Sequence, residues 1–174
     1  MNVLSRVTVT AAALAVGLSA SAVAQDRVDA KKDWSIFEAG SGGSKVCWIV
    51  SQPTESTATR GGQKVDVRRG DIFLMVSNRP KDKVENEVSF LSGYPFKKGS
   101  KVKVTVGSNN YTMFTDGENA WTSSSGEDSK LTRAFRAGAT ARIEGTSSRG
   151  TVTRDTFSLS GFTAALKAAQ GRCR

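Results

Sequence analysis

The stretch Lys101-Val102-Lys103-Val104-Thr105-Val106 decides the fold class of this chain. Its three valines alternate with two lysines and a threonine. Because successive side chains of a β-strand point to opposite faces, this period of two places the valines against a core and the polar side chains toward solvent. The stretch therefore predicts a half-buried strand of an antiparallel sheet.

The sequence on both sides of this stretch continues the β pattern. Residues 107–110 predict a hairpin loop into a strand at 111–114, and Asp116-Gly117 predicts a tight turn into a returning strand at 118–122. The continuous apolar run at 72–76 favours a fully buried strand, whereas the polar residues 54–63 predict a loop. Short runs rich in β-branched and aromatic residues predict further strands at 33–37, 45–50, 87–91, 140–144 and 151–159.

Two stretches change to a helical period. Residues 128–137 predict one helix, with Asp128 or Ser129 as its N-cap and Gly138 at its end. The second helix is predicted from four apolar residues spaced i, i+3, i+4 and i+7, with Gly171 ending it; they are Phe162, Ala165, Leu166 and Ala169. A helix this short is marginal in water. The sequence therefore predicts a mainly β fold, an antiparallel sandwich or barrel-like domain with a C-terminal helix docked on the sheet.

The N-terminal residues predict export. Arg6 is followed by an apolar run at 7–18 and by small residues ending in Ala22-Val23-Ala24, the pattern of a secretory signal peptide. A membrane span needs about 20 apolar residues, and this run is shorter. We expect cleavage between Ala24 and Gln25, a single β-rich domain at 25–174, and no transmembrane segment in the mature chain. The expected location is periplasmic, with outer-membrane association or secretion as alternatives.

The two cysteines of the chain, Cys47 and Cys173, both lie beyond the predicted cleavage site. Two cysteines in an exported protein favour a disulfide, because that compartment is oxidising. Two buried free thiols are the alternative. A zinc site is disfavoured, since zinc usually takes four ligands and the chain has no histidine.

The absence of histidine also narrows the chemistry. It removes the Ser-His-Asp and Cys-His catalytic arrangements and His-ligated metal sites. No phosphate-binding glycine loop and no G-x-S-x-G motif is present. The acidic residues Asp116, Glu118, Glu127 and Asp128 fall in a Gly/Ser-rich stretch that indicates solvated turns, so a carboxylate-based hydrolase is the weakest alternative. We expect no enzyme activity, cofactor or metal.

Positive charge is the clearest functional signal. The chain has a formal net charge of +9, and the predicted signal peptide carries one arginine and no acidic residue, which leaves +8. Such charge attracts anionic partners over a salt-dependent range. Nucleic acid is disfavoured by export, so the expected partner is an anionic envelope component or an envelope protein. The candidate anion-binding residues form two predicted clusters: Lys97, Lys98, Lys101 and Lys103, and Arg133, Arg136 and Arg142.

The tripeptide Arg69-Gly70-Asp71 has the sequence that integrins recognise. It directly precedes the apolar run at 72–76, where a turn glycine with polar flanks is expected in any case. A functional recognition motif lies on an exposed loop tip. The turn before a strand is therefore the simpler interpretation.

The stretch Arg154-Asp155-Thr156-Phe157-Ser158-Leu159-Ser160-Gly161-Phe162-Thr163-Ala164-Ala165-Leu166 resembles the C-terminal signature of the invasion-associated locus B family. Residues 86–96, and residues 131–138 with the strand that follows, are similar in kind. The mid-chain residues 116–121 depart from the family, because they lack the Cys-x-x-Gly-Cys-like element of many members.

This resemblance implies an exported envelope protein of alphaproteobacteria with a β-sandwich-like domain and a name linked to host-cell invasion. It supplies no catalytic residue. We therefore expect a non-enzymatic binding protein with a basic face. The alternative is a periplasmic structural or assembly factor that uses a strand edge or an apolar patch.

Overall fold

A computed structural model of the chain describes residues 26–173. The predicted signal peptide and its cleavage site at Ala24 and Gln25 lie outside the described residues. The strands within that range are β1 (Asp26–Lys31), β2 (Trp34–Ala39), β3 (Val46–Ser51), β4 (Glu55–Arg60), β5 (Gln63–Lys64), β6 (Phe73–Arg79), β7 (Val84–Leu91), β8 (Lys101–Val106), β9 (Asn109–Asp116), β10 (Asn119–Trp121), β11 (Thr140–Thr146) and β12 (Val152–Ser158). The two α-helices are α1 (Ser125–Ala137) and α2 (Phe162–Arg172).

All twelve strands belong to one sheet, in the order β1-β2-β3-β6-β7-β10-β9-β8-β11-β12-β4-β5. Every neighbouring pair is antiparallel. The sheet is strongly curled. Four strands separate β7 from β12 in the sheet, yet the ring centroids of Phe90 in β7 and Phe157 in β12 are only 6.1 Å apart. The mainly antiparallel β fold with a docked C-terminal helix is thus confirmed.

The inner face of the curled sheet carries the core. In β8 the three valines point inward and the two lysines are exposed, as the alternation predicts. The run at 72–76 differs from its prediction, because only alternate residues of β6 are buried. Leu74 and Val76 face the core, whereas Phe73 and Met75 lie half-buried on the outer face. The apolar run therefore gives β6 an apolar side chain on both faces of the sheet, and the outer face remains partly accessible to solvent.

Two segments differ from the sequence prediction. Residues 55–60 form strand β4 instead of a loop, paired with β12 on one side and with the two-residue β5 on the other. Only Ala58 of β4 is buried, so the strand carries no apolar alternation that a pattern can detect. Strand β1 pairs with β2 and was likewise not predicted.

Both helices are found, with different ends. Helix α1 begins three residues before the predicted start, and its N-cap is Ser124, whose hydroxyl accepts a hydrogen bond from the Glu127 N–H at 3.3 Å. Helix α2 is capped by Gly161 at φ +90°, passes through Gly171 and ends at Arg172, with Cys173 as its C-cap. Side chains of α2 pack into the core, including Phe162, whose ring lies 5.0 Å from that of Trp34.

A disulfide joins strand β3 to the end of α2. The Cα atoms of Cys47 and Cys173 are 5.9 Å apart, and the bridge closes a sequence separation of 126 residues. The predicted disulfide is therefore present. It ties the helix to the sheet at the same place where apolar side chains dock it.

Candidate anion-binding site

The four predicted lysines form one exposed group, called the lysine cluster below: Lys97, Lys98, Lys101 and Lys103. Lys97 and Lys98 lie in the turn before β8, and the other two lie on the outer face of that strand. Among the described residues none of the four has an ion-pair partner. Glu144 lies opposite Lys103 in the strand register, but its carboxylate forms an ion pair with Arg154 at 2.6 Å instead.

The three predicted arginines do not form one group. Arg142 lies on β11 beside Thr105, so it shares the outer face of the sheet with Lys101 and Lys103. Arg133 and Arg136 are exposed on α1, a helix that packs against β7. The structure thus assigns Arg142 to the side of the lysine cluster and places the other two on a different element.

A second basic feature, not predicted from the sequence, is a cavity of about 340 Å³ between three loops. It is called the arginine pocket below. Its walls come from residues 66–69, residues 93–95 and the β11–β12 hairpin, with Arg60 at the end of β4. Four arginines line it, together with one carboxylate, Asp66. The arginines are Arg60, Arg68, Arg69 and Arg149.

The inner part of the arginine pocket is a buried ion pair. Arg69 donates to both carboxylate oxygens of Asp155, at 2.6 and 2.8 Å, and to the Ser92 carbonyl. Its guanidinium also lies 5.0 Å from the centre of the Tyr94 ring. The Arg69 side chain is only 8% exposed, so the Arg69-Gly70-Asp71 sequence does not present its arginine to a receptor.

The other three arginines of the pocket have no carboxylate partner among residues 26–173. Arg60 donates through Nε and Nη2 to the Thr151 hydroxyl, at 3.0 and 2.8 Å. Arg68 and Arg149 are exposed on their loops. These three arginines line the cavity without an ion pair to offset their charge, and Asp66 is the carboxylate that lines it with them.

Tyr94 supplies a hydroxyl to the same cavity. Its oxygen lies 2.6 Å from the Thr153 hydroxyl oxygen, and either group can be the donor. Burial raises the pKa of the Tyr94 hydroxyl, so this group is a neutral O–H near neutral pH. Only one of the two O–H groups donates in this hydrogen bond, so the hydrogen of the other O–H is not used by it.

A close backbone contact holds two of the pocket loops together. The Gly70 N–H donates to the Gly93 carbonyl at 2.9 Å. Gly93 has φ +70°, and a Cβ there would lie 2.6 Å from the Gly70 carbonyl oxygen. Only glycine fits this position without moving the backbone. The pocket wall is therefore fixed by main-chain contacts.

The arginine pocket and the lysine cluster are adjacent. Residues 95–97 run antiparallel to residues 146–148, with the Lys97 N–H donating to the Thr146 carbonyl and the Ser148 N–H to the Pro95 carbonyl. Pro95 and Ser148 line the pocket, and Lys97 follows directly. The pocket arginines are far apart in sequence, which explains why a search for local charge clusters missed them. Their only local signal is an arginine before a turn glycine, as in Arg60-Gly61 and Arg149-Gly150.

One acidic residue differs from its prediction. Asp128 is buried in the first turn of α1, where its Oδ1 accepts hydrogen bonds from the Val88 N–H at 2.8 Å and from the Thr122 hydroxyl. Burial raises its pKa, and the hydrogen bonds from Thr122 and Val88 act in the opposite direction. Asp116 and Glu118 flank the β9–β10 turn, and Glu127 pairs with Lys130 at the surface. Asp128 is therefore a structural carboxyl that joins α1 to β7, and not part of a solvated turn.

Two features are absent from residues 26–173: a metal-binding group and a membrane-spanning helix. No group of three or more His, Cys, Asp or Glu side chains there is placed to hold a metal ion. In the same range no helix has both the length and the apolar character that crossing a membrane requires.

Comparison with known proteins gives one match. The sequence model of the family described as "Invasion associated locus B (IalB) protein" matches residues 34–170, which is most of the chain. No curated protein and no solved structure matches the chain. The matched range includes eleven of the twelve strands in full, nearly all of α2, the arginine pocket and the lysine cluster. The chain therefore belongs to the invasion associated locus B family.

Proposed function

We propose that this protein is an exported, non-enzymatic accessory protein of the cell envelope that binds an anionic envelope or host component through its basic surface. The observation that carries the proposal is the lysine cluster, four exposed lysines that lack an ion-pair partner among the described residues. The invasion associated locus B family is not a known enzyme family. The proposed location is the periplasm.

The expected partners follow from charge. Unpaired lysines on a strand and its adjoining turn create a positive potential that draws anionic molecules and weakens with salt. In a cell envelope, molecules with suitable charge are anionic lipid head groups, lipopolysaccharide and acidic glycans. Binding of such a partner is expected to depend on ionic strength and on these particular side chains.

A pull-down from envelope extract tests this proposal. Residues 25–174 serve as the bait at low and at high salt, beside a variant with all four lysines of the cluster changed to glutamate. The matched control reverses four other exposed lysines, which are Lys32, Lys64, Lys81 and Lys167. Both variants lower the net charge equally, so they separate a defined surface from overall charge.

The proposal expects capture that disappears at high salt and in the lysine-cluster variant but persists in the control variant. Capture that is equal in both variants would contradict it, since overall charge alone would then account for binding. Capture that is indifferent to salt and to both variants would also contradict it.

A second candidate function, assembly of another envelope protein, is favoured by the outer apolar face of the sheet. The six neighbouring strands β2, β3, β6, β7, β10 and β9 carry apolar side chains on the face of the sheet that points away from the core. Phe37 stacks on Trp48 at 5.6 Å, and Phe114, 47% exposed, lies 5.8 Å from Trp121. The members of this face are Phe37, Trp48, Val50, Phe73, Met75, Leu91, Phe114 and Trp121.

The same pull-down at high salt tests this second function. A protein partner held by the outer apolar face should survive high salt and be lost with Phe114→Ser. Val67→Ser is the matched control, because Val67 is 39% exposed but lies away from that face. Retention of the partner by the Phe114 variant would exclude this face.

A further inference from the structure

We propose that the arginine pocket binds the phosphate group of a phosphorylated sugar. This inference deepens the proposed function and rests on it for the anionic nature of the partner. It assigns recognition to a cavity, whereas the lysine cluster acts as the exposed approach to it.

The charge of the pocket supports an anion. Arg69 and Asp155 neutralise each other in its inner part. Arg60, Arg68 and Arg149 add three positive charges, and Asp66 is the one carboxylate among the remaining lining residues. The cavity therefore carries a formal excess of two positive charges, which matches a phosphate ester near neutral pH.

The type of side chain favours phosphate. The planar guanidinium presents five N–H donors in a fork that fits two oxygens of one phosphate. Arg60 uses two of its donors on the Thr151 hydroxyl, which holds its guanidinium in place and leaves three for a ligand. An arginine that is already oriented loses less side-chain entropy when it binds.

The size and the other lining groups favour a sugar over a bare ion. A cavity of about 340 Å³ lies in the range of small-molecule sites, about 300–1,000 Å³, and exceeds what one phosphate fills. The exposed lining residue Ser148 offers a hydroxyl donor, and Asp66 offers a carboxylate acceptor. The Asp66 carboxylate can only accept hydrogen bonds, and a fully ionised phosphate has no hydrogen to donate. The hydroxyl groups of a sugar can donate to this carboxylate.

Calorimetric titration of residues 25–174 with glucose 1-phosphate tests the proposal, with glucose and inorganic phosphate as comparison ligands. The test variant is Arg68→Ala with Arg149→Ala, two exposed side chains on loops. The matched control is Arg27→Ala with Lys167→Ala, two exposed basic side chains outside both the pocket and the lysine cluster. Thermal unfolding checks that each variant remains folded.

We expect glucose 1-phosphate to bind more tightly than glucose or inorganic phosphate. Loss of two charged contacts should weaken its binding by about tenfold or more, as expected for hydrogen bonds to charged groups. The control variant should bind as the wild type does. The proposal is overturned if glucose 1-phosphate does not bind, if glucose or inorganic phosphate binds equally well, or if the double variant binds unchanged.

A second arm distinguishes the source of the sugar phosphate. Phosphatidylcholine vesicles with and without lipid A present the same chemistry as a glycolipid head group. If glucose 1-phosphate binds, binding to the lipid A vesicles that is also lost in the double variant assigns a lipid source. Binding to glucose 1-phosphate alone supports the pocket and assigns a free sugar phosphate.

The two proposals fail separately. If reversing the lysine cluster abolishes envelope capture while the pocket variant captures normally, the pocket inference is wrong and the proposed function stands. If the pocket variant loses glucose 1-phosphate while envelope capture ignores the lysine cluster, the proposed surface is wrong and the pocket stands.

Discussion

At the scale of single residues, Asp128 shows how one carboxyl can serve structure. Its Oδ1 accepts hydrogen bonds from the Val88 N–H and the Thr122 hydroxyl, so it satisfies a strand N–H where helix α1 covers the sheet. Burial raises its pKa above the ordinary value of 3.8. A buried carboxyl with a raised pKa often suggests catalysis, but here its contacts account for its position.

The raised pKa of Asp128 leads to a prediction about stability. Above about pH 3.8 the unfolded state loses this proton while the folded state still holds it, so the free energy of unfolding falls as pH rises through that window. Asp128→Asn keeps an acceptor oxygen and cannot ionise. Its stability relative to the wild type should therefore increase between about pH 3 and pH 7, as measured by urea unfolding.

Glu127→Gln is the control for this prediction, because it removes a carboxylate from the same helical turn at the surface. The control should show no comparable change with pH. A stability difference between Asp128→Asn and the wild type that stays constant with pH would show that the buried carboxyl does not carry the effect.

At the scale of secondary-structure elements, helix α2 depends on how its N-cap residue meets strand β1. Gly161 has φ +90°, and a Cβ there would lie 2.0 Å from the Lys31 carbonyl oxygen. Gly171 lies in the same helix with nothing within 4 Å of its Cβ position. Two glycines of one helix therefore have opposite roles.

We predict opposite effects of alanine at these two positions. Gly161→Ala should lower the free energy of unfolding by more than about 1 kcal/mol, because the backbone must shift and the left-handed conformation is strained. Gly171→Ala should raise it by about 0.5–1 kcal/mol, because alanine is the better helix former. Denaturant unfolding of both variants checks this pair, and a shift of the same sign in both would contradict it.

The elements also show what the sequence can predict. Strand β8 was predicted at its observed ends, because its apolar alternation reflects one buried and one exposed face. Strand β4 was missed because its role is polar: the Ser56 hydroxyl donates to Asp155, and only Ala58 reaches the core. The pocket arginines were missed for a related reason. Their proximity arises from the curl of the sheet, which a local pattern does not encode.

At the scale of the whole molecule, the disulfide and the packing of α2 both hold this helix against strands β2 and β3. In the chain-entropy model, closing a loop of this size contributes about 5 kcal/mol to stability. Replacing both cysteines by serine should therefore lower the unfolding midpoint strongly. It should also increase hydrogen exchange in α2 more than in α1, whose contacts with β7 do not involve the bridge.

The single Cys173→Ser variant is the control for the disulfide prediction, because it removes the bridge while leaving Cys47 in place. It should unfold as the double variant does. Equal hydrogen exchange in α1 and α2 of the double variant would contradict the prediction, since the loss of stability would then not be centred on the tied helix.

The position of the disulfide also constrains the timing of folding during synthesis. Cys47 precedes its partner by 126 residues, and the Trp34 indole N–H precedes its acceptor, the Ser158 carbonyl, by 124. At a synthesis rate of about 5–20 residues per second, roughly 6–25 seconds pass between the synthesis of Cys47 and Trp34 and the synthesis of their bonding partners. During that interval Cys47 is a thiol without its partner. The bridge can form only after the last helix has been made, and because the chain has no third cysteine, a Cys47 thiol without its partner can pair wrongly only with a second molecule.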